Sequence, residues 1–222
     1  MADNTASTGG LTMLRRSPLA AMAREMMDKS ITGPRNVRVS ESRFTTMISV
    51  RVDPGSTAAG AIGDVLGTAL SARCGEVSSH APHSVLWLGP DEWLIVSDMA
   101  ADLLLPELRS AALDAGDGSP AIVDVSANRT VVELSGAAAR AVLEKGCPTD
   151  LHPRAFGPGT AIATTLARVP LLLWQVGPTT YRLLPRSSFA QYVASWLLDA
   201  MQEFGSGFGS EFPSELPVAG PA

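Results

Sequence analysis

The feature that most constrains the fold of this chain is a pattern that occurs twice, 88 residues apart. Residues 86–96 and 173–184 each contain a Trp in an apolar run, then Gly-Pro, then an aromatic residue three positions later, then an apolar strand. Gly-Pro favours a turn, and the aromatic residue would lie at the start of the strand that follows the turn, on its buried face. Two unrelated hairpins could share such a pattern, but several residue types match at fixed offsets, which favours duplication. A duplicated strand–hairpin–helix unit predicts an α+β fold of two packed halves, with helices on one side of antiparallel sheets.

The first hairpin predicts strands over residues 84–88 and 92–97, joined by Gly89-Pro90-Asp91. Because side chains alternate along a strand, Trp93 and Ile95 should share one face, with their neighbours on the other.

Capping residues predict where two helices begin and end. Ser56 or Thr57 can cap a helix that should end just before Gly75. Ser188, with Gln191 three positions later, predicts a capping box at the start of the last helix. The apolar stripe of that last helix would comprise Phe189, Tyr192, Val193, Trp196 and Leu197.

Composition and charge exclude several classes of protein. The 222 residues carry 17 Lys and Arg against 22 Asp and Glu, a net charge of −5. No apolar run is long enough for a membrane span, and two cysteines cannot build a disulfide framework. We therefore expect a cytoplasmic protein that binds no membrane. Residues 1–51 carry a net charge of +4 and residues 52–150 a net charge of −9. The acidic middle region argues against nucleic-acid binding. The basic N-terminal segment is expected to dock on an acidic surface, either of this chain or of a partner.

Three regions are predicted along the chain. Residues 1–17 form a flexible N-terminal arm, and residues 18–202 form one α+β domain that contains both repeats. Residues 203–222, rich in Gly, Ser and Pro, are expected to form a flexible C-terminal tail of native or engineered origin.

Few residues combine into a catalytic pattern. Gly157-Pro158-Gly159 lacks the third glycine of a phosphate-binding loop. His80, His83 and Cys74 could seed a metal site, but they lack a fourth ligand, so a polar connector is the preferred interpretation and we expect no metal.

Two further stretches contain candidate functional residues. Strands are predicted over 121–126 and 130–135, and Asp124 could act as a base or could stabilise the turn by pairing with Arg129 across this hairpin. The loop 149–156 either binds a ligand or partner, or is a surface loop anchored by its apolar residues. The candidate interface or ligand residues are therefore Asp124, Arg129, Asp150, His152, Arg154 and Phe156.

Several motifs resemble those of one known family. They are the Gly-Cys-Pro-x-Asp-Leu-His-Pro string at 146–153, the Gly-Pro-Asp-Glu-Trp turn at 89–93, Val-Asp-Val-Ser at 123–126 and the helix at 188–200. Together with Ser-Pro-Leu at 17–19, they resemble the gamma subunit of bacterial heterotetrameric sarcosine oxidase over about residues 17–200.

The resemblance implies a fold like the folate-binding domain of the glycine-cleavage aminomethyltransferase. It also implies alpha, beta and delta partner subunits in a complex that oxidises sarcosine (N-methylglycine) to glycine. That reaction forms hydrogen peroxide and passes the methyl carbon to tetrahydrofolate. In the family, FAD, FMN and NAD are carried by the larger subunits, so no cofactor is expected on this chain, and tetrahydrofolate is expected on or near other subunits.

The chain departs from the aminomethyltransferase pattern where catalysis would require it. Ala127 replaces the His of Asp-Val-Ser-His, and the apolar run at 168–173 stands where that family has Gly-Gly followed by paired acids. One-carbon transfer needs a carboxylate against a folate nitrogen. A non-catalytic structural subunit with no catalytic residues is therefore the preferred hypothesis. The alternative is a folate-binding one-carbon-transfer module acting through its own loop, and a third is an independent enzyme that uses Asp124 with Arg129.

Overall fold

The computed structural model describes residues 15–117 and 120–205. The helices are α1 (Ala23–Asp28), α2 (Thr57–Leu66), α3 (Ala101–Asp114), α4 (Ala139–Glu144) and α5 (Ala190–Met201). The strands are β1 (Arg38–Ser42), β2 (Thr46–Arg51), β3 (Val77–His80), β4 (His83–Gly89), β5 (Glu92–Ser97), β6 (Ala121–Asp124), β7 (Val131–Ser135), β8 (Thr160–Leu166), β9 (Val169–Gly177) and β10 (Thr180–Pro185). Within the described residues, no helix is long and apolar enough to cross a bilayer.

The strands form two five-stranded antiparallel sheets with the same arrangement. Their orders are β3-β4-β5-β2-β6 and β8-β9-β10-β7-β1. Each sheet contains a three-strand meander, then the strand that precedes this meander in the chain, then an edge strand. In the first sheet, the edge strand β6 comes after the other four strands in the chain. In the second sheet, the edge strand β1 comes before the other four strands. The duplication and the α+β class predicted from the sequence are confirmed.

The two Gly-Pro hairpins pair in the same register. Trp87 lies opposite Trp93 in the first hairpin, and Gln175 lies opposite Tyr181 in the second. Each residue of the second pair is 88 positions after its counterpart in the first pair. Each hairpin also contains a register shift close to its turn. The aromatic residue after each turn is buried, Trp93 and Tyr181 being 1% and 2% exposed. The repeat therefore reflects equivalent positions in space.

The two sheets stack face to face, and helices cover their outer faces. In β5, Trp93 and Ile95 pack in an apolar cluster with residues of α2 and α3, as the alternation predicts. Leu94 and Val96 pack in a separate cluster that contains strands of both sheets. The layer between the sheets consists of Met47, Leu86, Leu94, Val96, Val131, Ala161, Leu172, Trp174 and Leu184. Each sheet is therefore apolar on both faces, which explains its nearly continuous apolar strands.

The helix ends agree only partly with the sequence signals. Ser56 caps α2 as predicted, because its Oγ accepts a hydrogen bond from the Ala59 N–H (3.2 Å). The predicted end near Gly75 is wrong, since Gly67 takes the left-handed conformation (φ 64°) and stops the helix eight residues earlier.

The predicted capping box of the last helix is also wrong. A short 3₁₀ turn, Ser187–Phe189, precedes α5, and Phe189 occupies the N-cap without a side-chain hydrogen bond. Of the predicted stripe, Val193 and Leu197 are buried, whereas Phe189 and Tyr192 are about half exposed.

The segment before β2 belongs to the fold, and the sequence analysis missed both α1 and β1. Leu19 and Met26 are buried in the core of the second half, together with Val39 on β1. In α1, Arg24 and Lys29 form ion pairs with Asp28 and Glu25 of the same helix. Part of the basic charge predicted to dock on an acidic surface is thus neutralised locally.

A buried carboxylate attaches the segment before α1 to the second sheet. The Glu41 side chain is only 2% exposed. Its carboxylate accepts hydrogen bonds from the Ser17 hydroxyl, the Leu19 N–H (3.1 Å) and the Thr130 hydroxyl (3.0 Å). Three donors from two distant parts of the chain, residues 17–19 and Thr130, therefore converge on one side chain.

We expect Glu41→Ala to lower the free energy of unfolding by about 2–3 kcal/mol, because it leaves buried donors without an acceptor. Urea denaturation measures this. Glu25→Ala is the matched control, since its partner Lys29 is exposed and such pairs contribute about 0.3–0.5 kcal/mol. Equal losses of stability in the two variants would contradict the anchoring role of Glu41.

Candidate functional site

The predicted Asp124–Arg129 hairpin is instead a crossover between the two sheets. β6 pairs with β2 in one sheet, and β7 pairs with β1 and β10 in the other. Asp124 accepts hydrogen bonds from the N–H (2.9 Å) and the hydroxyl of Ser126. The Nη1 of Arg129 donates to the carbonyl of Leu184 (2.9 Å). The predicted pairing of Asp124 with Arg129 is therefore wrong, because local spacing cannot show that consecutive strands join different sheets.

A cleft of about 230 Å³ opens at this junction, and we call it the crossover cleft. The segment before α1, the end of β1, the crossover turn and the start of the 3₁₀ turn before α5 line it. Its lining side chains include Arg15, Arg16, Glu41, Phe44 and Arg129. The Arg15 guanidinium lies over the Phe44 ring, 4.9 Å from its centroid.

Two arginines lie next to each other on this side of the molecule. Arg129 and Arg186 are partners in an isolated antiparallel bridge. The Nη1 of Arg186 donates to the Asn128 side chain (3.1 Å), which holds it beside the turn. Burial, and to a smaller extent the positive charge of Arg186, lower the pKa of Arg129 below its usual value.

The loop 149–156 is ordered by its own polar groups and anchored by two apolar side chains. Asp150 accepts from the His152 N–H (2.9 Å), and the His152 ring Nδ1 accepts from the Arg154 N–H (3.2 Å). Leu151 and Phe156 are buried in the core of the second half. The side chains of Asp150, His152 and Arg154 belong to exposed residues.

A second cleft, of about 410 Å³, lies beside this loop, and we call it the loop cleft. It is lined by Pro153, Phe156, Arg140, Gln175 and Tyr181, among other residues. Burial raises the pKa of Tyr181. No lining residue is shared with the crossover cleft. The structure thus divides the six predicted residues between two places and does not gather them into one site.

The candidate metal ligands do not converge. The His83 ring is buried and its Nδ1 is hydrogen-bonded to the Ser97 hydroxyl (2.9 Å), whereas Cys74 is exposed. Within residues 15–117 and 120–205, no three His, Cys, Asp or Glu side chains lie close enough to hold a metal ion.

Sequence reasoning missed Glu41 and Gln175 as lining residues of these clefts, and Arg186 as the neighbour of Arg129. A signal existed for Glu41, since Val37, Val39 and Glu41 alternate and the two valines are buried. An acid at the third position of that face predicts a buried, hydrogen-bonded carboxylate. No local signal indicated Arg186, whose partner Arg129 is 57 residues away in sequence.

The first comparison concerns the fold. The chain superposes on aminomethyltransferase T of the glycine cleavage system from Bartonella henselae with a TM-score of 0.60 at 14% identity. The match covers 83% of this chain and 57% of that chain. At this identity the likeness shows the fold alone, which is the aminomethyltransferase-like class expected from the sequence.

The second comparison concerns the family. Residues 51–203 match the "Sarcosine oxidase, gamma subunit family". The gamma subunit of sarcosine oxidase from Corynebacterium sp. (strain U-96) is 44% identical over 196 residues, which is 88% of this chain and 94% of that relative. The gamma subunit from an Arthrobacter sp. is 46% identical over 211 residues, or 93% and 98%. The chain belongs to the sarcosine oxidase gamma subunit family, and the predicted resemblance is confirmed.

A solved structure agrees with this assignment. A chain of the heterotetrameric sarcosine oxidase from Corynebacterium sp. U-96, in complex with pyrrole 2-carboxylate, superposes with a TM-score of 0.81. The identity is 44%, and the match covers 87% of this chain and 97% of that chain.

We expect the stability of the fold to decrease as the pH falls below 6.5, partly through His83. Burial lowers the pKa of this histidine below 6.5, and the smaller effects of Glu107 and His80 act in opposite directions. The folded state therefore favours the neutral ring, so the His83 contribution is fully present above pH 6.5. It is lost as the pH falls from 6.5 towards the folded-state pKa, with a slope of at most about 1.4 kcal/mol per pH unit.

Urea denaturation between pH 5 and pH 8 measures this slope, and His83→Gln should flatten it. The control is His152→Gln, because the His152 side chain is on an exposed loop. An unchanged slope in His83→Gln would contradict the assignment to His83.

Proposed function

We propose that this chain is a non-catalytic structural subunit of a heterotetrameric flavoenzyme that oxidises sarcosine to glycine. The enzyme forms hydrogen peroxide and passes the methyl carbon to tetrahydrofolate. The observation that most strongly supports this proposal is the nearly full-length match to sarcosine oxidase gamma subunits at 44–46% identity. The partners are the alpha, beta and delta subunits, and FAD, FMN, NAD and tetrahydrofolate lie on or near those other subunits. A cytoplasmic location belongs to the same proposal.

The chemistry of the crossover cleft supports a non-catalytic role. A general base needs a carboxylate that can take up a proton from a substrate. The Asp124 carboxylate is hydrogen-bonded to Ser126, and the Glu41 carboxylate accepts three hydrogen bonds from its own chain. Ala127, at the position of a histidine in the aminomethyltransferase motif, lines the same cleft and has no titratable group.

Exposed apolar side chains supply surface for contacts with partner subunits. Leu103 and Leu113 on α3 are 60% and 76% exposed. Further large apolar side chains that are exposed are Met27, Phe44, Val123, Phe189 and Tyr192. Burial of such side chains against a partner would add to the stability of an assembly.

Co-expression tests the proposal. The tagged chain, expressed with alpha, beta and delta subunits, should retain all three on an affinity column and yield a complex that produces peroxide from sarcosine. The chain expressed alone should show no visible flavin absorbance and no oxidase activity. Recovery of the chain without partners from the co-expression would refute the proposal.

The exposed loop supplies a matched variant for the same experiment. Arg154→Glu reverses a charge on the loop, and we expect it to weaken assembly several-fold and to increase its sensitivity to salt. Arg24→Glu is the control, because that arginine is exposed and lies on α1, outside both clefts. An elution volume of the Arg154→Glu complex equal to that of the wild type would contradict a role of the loop in assembly.

A folate-binding module is the second candidate function. The fold is that of aminomethyltransferase T, and the loop cleft of about 410 Å³ lies within the size range of small-molecule sites. If the candidate is correct, calorimetry with tetrahydrofolate on the isolated chain should detect binding that His152→Ala or Arg154→Ala removes. Absence of heat at millimolar tetrahydrofolate would exclude it.

A further inference from the structure

The crossover cleft concentrates positive charge that the described residues do not neutralise. Arg15, Arg16 and Arg129 line it, and Arg186 is the backbone partner of Arg129. Within residues 15–117 and 120–205, none of these four arginines forms an ion pair. The one acid in the lining, Glu41, already accepts three hydrogen bonds from the chain.

Backbone hydrogen bonds fix the main chain at two of these arginines, Arg129 and Arg186. The Thr130 N–H donates to the carbonyl of Pro185 (3.2 Å), and the Ser187 N–H donates to the carbonyl of Asn128 (2.9 Å). These bonds join the crossover turn to the end of β10 on both sides of the Arg129–Arg186 bridge. Both arginines therefore start from a rigid part of the fold, which reduces the entropy lost when they bind a ligand.

Arg129 retains donors for an external acceptor. A guanidinium has five N–H donors, and Arg129 uses only Nη1, towards the carbonyl of Leu184. Its Nε and Nη2 have no hydrogen-bond partner among the described residues, and both atoms are accessible to solvent. A guanidinium edge with two N–H donors matches the two oxygens of a carboxylate or phosphate.

The size and lining of the cleft limit what it can hold. Its volume of about 230 Å³ is below the roughly 300–1,000 Å³ of typical small-molecule sites. Phe44, Met47 and Pro18 add an apolar part to the lining. The cleft is thus suited to one oxyanion group on a short apolar stem.

We infer that the crossover cleft is a binding site for a single oxyanion group, a carboxylate or a phosphate. Arg129 holds the group, and Arg15 and Arg16 add positive charge from the lining. Arg186, which lies beside Arg129 outside the lining, adds a further positive charge. The oxyanion would offset the burial and the neighbouring positive charge of Arg186, which together lower the pKa of Arg129. A small free anion and an acidic side chain of a partner subunit both provide this chemistry.

Titration of the isolated full-length chain tests the inference without any partner. Calorimetry at low ionic strength should detect saturable binding of inorganic phosphate and of acetate, beyond the effect of chloride at matched ionic strength. Arg129→Gln should weaken phosphate binding about tenfold or more, because it removes charge-assisted hydrogen bonds. Arg186→Gln should weaken it several-fold, because it removes a neighbouring positive charge. Arg24→Gln, which removes one exposed positive charge on α1, should leave the dissociation constant unchanged.

A second variant separates anion binding from the structural role of Arg129, which also donates a hydrogen bond to the Leu184 carbonyl. The double variant Arg15→Gln/Arg16→Gln removes positive charge from the cleft and leaves that hydrogen bond intact. We expect it to weaken phosphate binding several-fold while circular dichroism stays unchanged. Binding no stronger than that of chloride, or equal dissociation constants for wild type, Arg186→Gln and the double variant, would overturn the inference.

The assembled complex identifies the source of the oxyanion. If a partner's acidic side chain occupies the cleft, the isolated chain should bind phosphate and the complex should lose this Arg186-dependent binding. If the cleft takes a free anion, both should bind phosphate. Failure of the wild-type chain to assemble would count against the proposed function alone, because the titration of the isolated chain decides the inference independently.

Discussion

The apolar contact between the two sheets is the interaction on which the rest of the molecule depends. Strands from both halves meet there, with Leu86 of the first hairpin and Trp174 of the second at positions related by the 88-residue offset. Each sheet buries one face in this contact and the other under its helices. Since burial of apolar area is the main favourable term in folding, neither half could expose its inner face to water without a large loss of stability.

This stacking also determines where the clefts form. Because β6 and β7 join different sheets, the short turn between them lies at the junction of the two halves. The segment before α1 reaches the same junction, where Glu41 binds it. The crossover cleft therefore contains residues from four separate parts of the chain, and its arginines come together only when these distant segments pack against one another.

The duplicated fold carries two clefts with separate linings. The fold is shared with an aminomethyltransferase, but the carboxylate of Glu41 in the crossover cleft accepts hydrogen bonds from the chain itself, as does that of Asp124 outside its lining. Among the described lining residues, the side chains that remain available in that cleft carry positive charge, which suits recognition of an anion. The loop cleft is on a different part of the surface and has its own lining. Assembly and anion recognition can therefore be altered separately by substitution.

Much of the fold could be predicted from the sequence, because its signals are local. Gly-Pro turns and strand alternation indicate which residues of β4 and β5 face each layer, and Ser56 caps its helix through a bond three residues away. The same residue patterns identified the family, since the motifs at 89–93 and 146–153 are continuous in sequence.

Only the tertiary structure decided which strands pair and which charges meet. The sequence around Asp124 and Arg129 is compatible with a hairpin, yet strands β6 and β7 pair in separate sheets. The burial of Glu41 and the proximity of Arg129 to Arg186 likewise depend on contacts between residues far apart in the chain. Local propensity does not contain these contacts, because their free energy arises only once distant segments of the chain are packed together.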